Sequence, residues 1–308
     1  MKHLRFLAAA LFLLSSSLVA APRIAVLLKD RDVFWSAAER GVVAAGKVAG
    51  VELLVKAPLV PNSLSQQLAM LAALAKEPIE VLVIAPLTTD DFKAPLAALA
   101  ARGIKIVSLD TRLPQGVAAA HVGYNQMLMA EEAGKFFAEL VPDGEKAAML
   151  RANSIEGMSL REKTLISTFK SLRGQATFYS DVVAGSERQD DYKQSILLLE
   201  THPNIKAVCT PFTAGTMAMT RAIQAKGLSG KILHVGFGSG LPDSIVEAID
   251  RGAMHGWVAQ RPYLIGSKGV ETAVDLLAGK TVPSNIEVPY SIVTKANLQD
   301  PQTQALRD

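Results

Sequence analysis

The chain of 308 residues is short of the features that mark several protein classes. It has one cysteine, Cys209, so no intramolecular disulfide can form, and its place in the apolar run 205–209 reads as a small core residue. There is no surplus of charge of either sign. The formal net charge of +3 falls to +1 without residues 1–20, whose only charged groups are Lys2 and Arg5, and neither value suggests nucleic acid or an anionic membrane as a partner. After residue 20 no apolar run is long enough to span a bilayer. Catalytic motifs are missing as well. Gly236, Gly238 and Gly240 follow a strand, but Leu241 breaks the dinucleotide-loop spacing and Phe237 breaks the nucleophile elbow. No phosphate loop occurs, and the histidines at 121, 202, 234 and 255 have no second ligand at metal spacing. The reading is therefore of a protein that is not an enzyme, with no cofactor, metal or nucleic acid.

What is present is a large, regularly patterned apolar chain: 49% apolar and 20% charged, enough to bury two cores. Residues 1–20 read as a secretory signal peptide, with Lys2 and Arg5 before the apolar run 6–14 and small residues Val19, Ala20 and Ala21 at the cut. That places the mature chain in a periplasm. Beyond it, short β-branched runs alternate with helical patterns. Strands are expected at 23–28, 51–55, 81–84, 104–109, 118–122, 146–150, 176–183, 205–209, 231–236 and 254–259, with helices between them and a last one at 264–278. This alternation predicts an α/β protein with parallel sheets covered on both faces, and its repetition predicts two similar lobes.

The stretch 105–124, KIVSLDTRLPQGVAAAHVGY, is the pivot of the chain. Its apolar strand stops at Asp110, Thr111 and Arg112, which puts polar groups at a carboxyl strand end, where ligands bind in parallel sheets. Pro114 and Gly116 then break the chain before a second apolar run leads into a new helical pattern.

The segments RIAVLLKDRDVFWSAAERGVVAA, VLVIAPLTTDD, HVGYN, SLREKT, AVCTPFTAGTMAMTRAIQAKG, ILHVGFG and WVAQRPYLIGSKGVETAVDLLAGKTVP together resemble the periplasmic sugar-binding proteins of the ribose and galactose type, whose fold is shared with the ligand-binding part of lac-repressor-like regulators. The resemblance covers the whole mature chain. It implies a type I periplasmic binding protein: two similar lobes, each a parallel sheet flanked by helices, joined by three crossing segments. The lobes would be 21–124 with 261–289, and 125–260 with 290–308.

The same resemblance implies the site. Asp32, Phe34 and Trp35 stand where relatives place a polar residue and two ring-stacking aromatics. Asp110 matches the aspartate after the fourth strand, with Thr111 where an arginine is common. Arg161 matches a ligand-donating arginine, Ser186 falls where some relatives have an aromatic, and Gln260 matches the hinge glutamine. Phe212 with Thr213, and Gly238, replace the Asn-Asp pair and the aspartate that usually hold sugar hydroxyls. This leaves two possibilities: a less hydroxylated, more apolar or anionic ligand, or compensation by Ser239, Arg112 and Thr210. The implied function is hinge closure on a small polar, sugar-like ligand for delivery to the membrane permease of an ATP-driven importer. The alternative is a periplasmic sensor of the same fold presenting a non-sugar ligand to a histidine kinase or chemoreceptor. Truncating Asp110 or Arg161 is expected to abolish binding with little effect on the unliganded protein.

Overall fold

The computed structural model describes residues 23–60, 62–152, 156–184 and 188–307, so the signal-peptide reading of 1–20 and the site assignment of Ser186 lie outside the described residues. The first half lays down β1 (Arg23–Leu27), α1 (Val33–Ala49), β2 (Glu52–Lys56), α2 (Leu64–Leu74), β3 (Val81–Ile84), α3 (Asp90–Ala101), β4 (Lys105–Leu109) and β5 (Ala120–Gly123). The second continues with α4 (Gln126–Leu140), β6 (Lys146–Met149), β7 (Arg151–Ala152), α5 (Glu156–Leu172), β8 (Thr177–Tyr179), β9 (Val183–Ala184), α6 (Arg188–Thr201), β10 (Ala207–Thr210), α7 (Thr213–Ala225), β11 (Leu233–Ser239), α8 (Asp243–Asp250) and β12 (Gly256–Gln260). It closes with α9 (Pro262–Leu277), β13 (Asn285–Glu287), β14 (Ser291–Val293) and α10 (Pro301–Gln304).

Two separate six-stranded sheets result, ordered β13-β5-β4-β3-β1-β2 and β14-β12-β11-β10-β6-β8. The strands are fully apolar at their centres, as Val81–Ile84 and Ala207–Thr210 illustrate, because helices cover both faces. The chain passes between the sheets after β5, after β12 and after β13. These are the three crossing segments expected of the fold. Pairing is parallel except at β14, which runs antiparallel to β12. The single strand expected over 176–183 is two pieces, since β8 pairs with β6 while β9 pairs with β7.

Two local devices hold the first lobe in shape beneath the cleft. Gln67, fully buried, donates through Nε2 to the carbonyls of Leu28 (2.9 Å) and Ala85 (2.8 Å) and accepts from the Leu87 N–H (3.0 Å), so it ties together the chain leaving β1 and β3. Helix α9 lies along α1 and over β3, β4 and β5. The approach is close because glycines face backbone: a Cβ on Gly41 would sit 2.0 Å from the Tyr263 carbonyl oxygen, and one on Gly266 2.0 Å from that of Ala38. One apolar cluster, containing Phe34, Trp35, Val107, Phe237 and Val258, extends through both lobes, and α1 meets β11 across the divide.

Candidate functional site

The carboxyl ends of β1, β4, β11 and β12 converge on the junction between the lobes. Asp110 follows β4 with φ +57°, a left-handed conformation that aspartate tolerates better than most side chains and that costs on the order of 1–3 kcal/mol unless neighbours enforce it. Its N–H donates to the Val122 carbonyl (2.9 Å), and Gly123 leaves room beside it, for a Cβ there would lie 3.2 Å from the Asp110 Cα. The turn holds the carboxylate toward β1 and the second lobe.

The partner from β1 is Lys29. Its Nζ lies 2.8 Å from Asp110 Oδ2 and 2.6 Å from Thr111 Oγ1, and 5.5 Å from the centre of the Trp35 ring. Thr111 stands where relatives commonly carry an arginine, so the cation beside Asp110 comes here from a different strand. Burial pushes the Asp110 carboxyl up, but Lys29, by charge and hydrogen bond, and then Arg161 and His121 outweigh it and leave the pKa below the ordinary carboxylate value. From the second lobe comes Arg161, 4% exposed. Its Nη1 donates to the Pro211 carbonyl (2.6 Å), its Nε and Nη2 to Gln126 Oε1 (3.1 and 2.7 Å), and its guanidinium lies 5.1 Å from the Phe237 ring centre. Gln126 in turn donates through Nε2 to Asp110 Oδ1 (3.1 Å). A continuous relay, Lys29 to Asp110 to Gln126 to Arg161, thus joins the lobes. Among the described residues Arg161 has no ion-pair partner.

At the hinge, the Tyr124 hydroxyl accepts from the Arg261 N–H (2.5 Å), clasping two of the crossing segments, and burial raises its pKa well above the usual phenol value. Ser239 and Gln260 are cross-strand partners at the ends of β11 and β12, on the face that carries Phe237 and Val258. They are 9% and 3% exposed, and among the described residues Ser239 Oγ and Gln260 Nε2 have no hydrogen-bond partner.

The sequence-derived candidates therefore divide. Asp110, Thr111, Arg161 and Gln260 come together at this junction. Asp32 is exposed and caps α1, accepting from the Trp35 N–H at 2.8 Å, while its own N–H donates to Asp30 Oδ1. Partial loss of solvent around the carboxyl and the neighbouring Asp30 charge push its pKa above the ordinary carboxylate value, against the hydrogen bonds from the Trp35 and Phe34 N–H groups. Phe34 and Trp35 are buried in the shared apolar cluster, edge to face with centres 5.1 Å apart, and Trp35 forms the floor under Lys29. Phe212 precedes α7 with its ring over Gly215, where a Cβ would lie 2.2 Å from Phe212 Cζ. Gly238 faces Trp257: a Cβ would lie 2.0 Å from its Cη2, and the ring is locked by a 2.7 Å hydrogen bond from Nε1 to the Gly240 carbonyl. The volume a carboxylate at 238 would use is filled by indole.

Of the three proposed compensating residues, two point elsewhere. Arg112 is exposed and donates to Asn285 Oδ1, and Thr210 is engaged by Thr216 and His234 (2.8 and 2.9 Å) on the face toward α7. Ser239 remains. Lys29 and Gln126 were not among the candidates. Lys29 has a sequence signal, a lone lysine closing the apolar run 24–28, whereas Gln126 reads only as the first residue of a helix. Among the described residues no group of three histidine, cysteine or acidic side chains could hold a metal ion.

A family profile described as the periplasmic binding protein domain matches residues 24–281. The chain belongs to that family. Curated relatives include the ribose import binding protein of Escherichia coli, 27% identical over 198 residues, which are 62% of this chain and 64% of that protein. The chain thus spans just under two thirds of that relative. The D-allose-binding periplasmic protein of the same organism is 26% identical over 306 residues, 95% of this chain and 97% of that protein. Among solved structures, a carbohydrate transporter solute-binding protein from Agrobacterium radiobacter in complex with D-arabinose superposes with a TM-score of 0.85 at 21% identity, covering 95% of this chain and all of the other. This likeness concerns the fold.

Proposed function

We propose that this chain is the solute-binding component of an ATP-driven importer, working in the periplasm, with its lobes (21–124 with 261–289, and 125–260 with 290–308) closing on a sugar or sugar-like molecule. The observation that carries the reading is that Asp110 of the first lobe and Arg161 of the second meet on one small polar group, the Gln126 amide. The amide donates to the carboxylate and accepts from the guanidinium, which a sugar hydroxyl can also do. A ligand reaching both residues gains contacts only when the lobes are together, so it shifts the population toward the closed form, which a membrane permease then recognises. The ribose import binding protein and the D-allose-binding periplasmic protein support the ligand class, and the second of them the compartment.

The test is calorimetry of the purified mature chain against pentoses, hexoses, polyols and their acids, with Asp110→Asn and Arg161→Met as site variants. Binding of one sugar class, reduced at least tenfold by each variant, is the expected result. Binding only of ligands without hydroxyl groups, or variants that bind as the parent does, would overturn it. Import lost on deleting the gene and restored on returning it separates transport from presentation to a sensor kinase or chemoreceptor.

A further inference from the structure

The second lobe's half of the cleft differs in chemistry from a hydroxyl-binding surface. Position 238 can offer no carboxylate, because on the face of β11 opposite Ser239 a Cβ there would meet Trp257, which is fully buried and anchored to the Gly240 carbonyl. At the ends of β11 and β12, on the face of Phe237 and Val258, stands the Ser239 and Gln260 pair, each at least nine-tenths buried and each with a polar atom that has no partner among the described residues. Gln260 Nε2 can only donate, and Ser239 Oγ can donate. Phe237, one strand repeat of about 7 Å before Ser239 on the same face, carries the Arg161 guanidinium over its ring. Among the described residues, that guanidinium is buried with no carboxylate in direct contact: it hydrogen-bonds to an amide and a backbone carbonyl, and feels the Asp110 charge across the Gln126 amide. Arg161 thus lies one strand repeat along β11 from the Ser239 and Gln260 pair.

In the first lobe the order is reversed. Asp110 presents an acceptor already balanced by Lys29, and Gln126, across the junction at the start of α4, turns its N–H toward it and its carbonyl oxygen toward Arg161. At the junction the first lobe thus offers an acceptor and the second offers donors. A buried polar atom left unpaired costs roughly 1–3 kcal/mol, so Ser239 and Gln260 lower the stability of the unliganded protein.

We propose that Ser239, Gln260 and Arg161 form an oxyanion subsite, and that the ligand is a carboxylated sugar or polyhydroxy acid. Its carboxylate lies against the second lobe and its hydroxyls against Asp110. The inference rests on the clamp reading above and narrows its ligand.

The experiment uses matched pairs, D-galactose with D-galacturonate and D-ribose with D-ribonate, titrated calorimetrically into the mature chain, together with Ser239→Ala and Gln260→Met. One of the acids is expected to bind at least tenfold more tightly than its neutral partner. Ser239→Ala should weaken that acid about tenfold while leaving the urea midpoint of the unliganded protein equal or higher, because an unpaired buried hydroxyl is removed. A purely structural serine would instead lower the midpoint and leave affinity alone, and that result overturns the assignment. Neutral sugars binding as tightly as their acids overturn the inference and keep the clamp. No binding by any sugar or acid removes both.

Discussion

The Lys29–Asp110 pair offers the sharpest test of the site's electrostatics. Its side chains are 5% and 15% exposed and 2.8 Å apart. Lys29→Met keeps the stem and removes the charge, leaving a buried carboxylate with the Gln126 amide as its remaining side-chain donor. Breaking a buried pair from one side costs about 3–5 kcal/mol, whereas removing both charges costs much less. Unliganded Lys29→Met and Asp110→Asn should each lose about that much in urea unfolding, and the double variant should recover at least ~2 kcal/mol relative to additivity. The two tryptophans, Trp35 in the first lobe and Trp257 in the second, allow each lobe to be followed by fluorescence. The pH dependence has a definite sign. In the parent the folded pKa of Asp110 lies below the ordinary value of 3.8, so the pair's contribution is complete above that pH and is lost as pH falls through the folded pKa. Without Lys29, burial acts without its main opponent and the folded pKa rises, so protonation relieves the defect. The penalty relative to the parent should therefore shrink between pH 7 and pH 5. Additive single variants within ~0.5 kcal/mol, or a penalty that grows on acidification, would refute the assigned electrostatics.

Two further outcomes follow from other parts of the molecule. Gly41→Ala should destabilise the first lobe by about 2 kcal/mol or more, since the new Cβ meets the rigid Tyr263 carbonyl, and an unchanged melting temperature would contradict the α1–α9 contact. His121 and His234 are held neutral, with burial as the main cause, at pKa values of about 4 and about 3 against 6.5 when free. Stability should therefore be complete above pH 6.5 and be lost toward pH 4, with each histidine contributing up to roughly 1.4 kcal/mol per pH unit, and His234→Gln should remove about half of that slope. A flat profile between pH 7 and pH 5 would oppose it.

The sequence made the architecture readable where the physics is local. Runs such as Val81–Ile84 can only be doubly covered strands, and their alternation with helices fixes parallel sheets. The strands it missed, Arg151–Ala152, Asn285–Glu287 and Ser291–Val293, are two or three residues long and partly exposed, so neither periodicity nor apolar length marks them. At the site, Asp110, Thr111, Arg161 and Gln260 could be named because family positions carry over. Their consequences could not, since the pairing of Lys29 with Asp110 links residues 81 apart and Gln126 is defined only by what it touches. This also overturns the expectation that Asp110 could be truncated at little cost to the unliganded protein. Its carboxylate balances a buried lysine, so removing it costs folding energy as well as binding. The same holds for Gly238, whose meaning becomes clear only with Trp257 beside it.

The way α9 and β13 return to the first sheet sets the order in which the molecule can be completed. β5 waits for residues 285–287 as its edge partner, and the apolar face over β3, β4 and β5 waits for residues 262–277, so a ribosome must deliver nearly the entire chain before the amino-terminal half has a finished interior. The second sheet likewise lacks its outer strand until residues 291–293 arrive. A nascent or clipped chain ending near residue 260 would thus carry two unsealed halves, and its carboxyl-terminal sixth acts as the closing stitch for both.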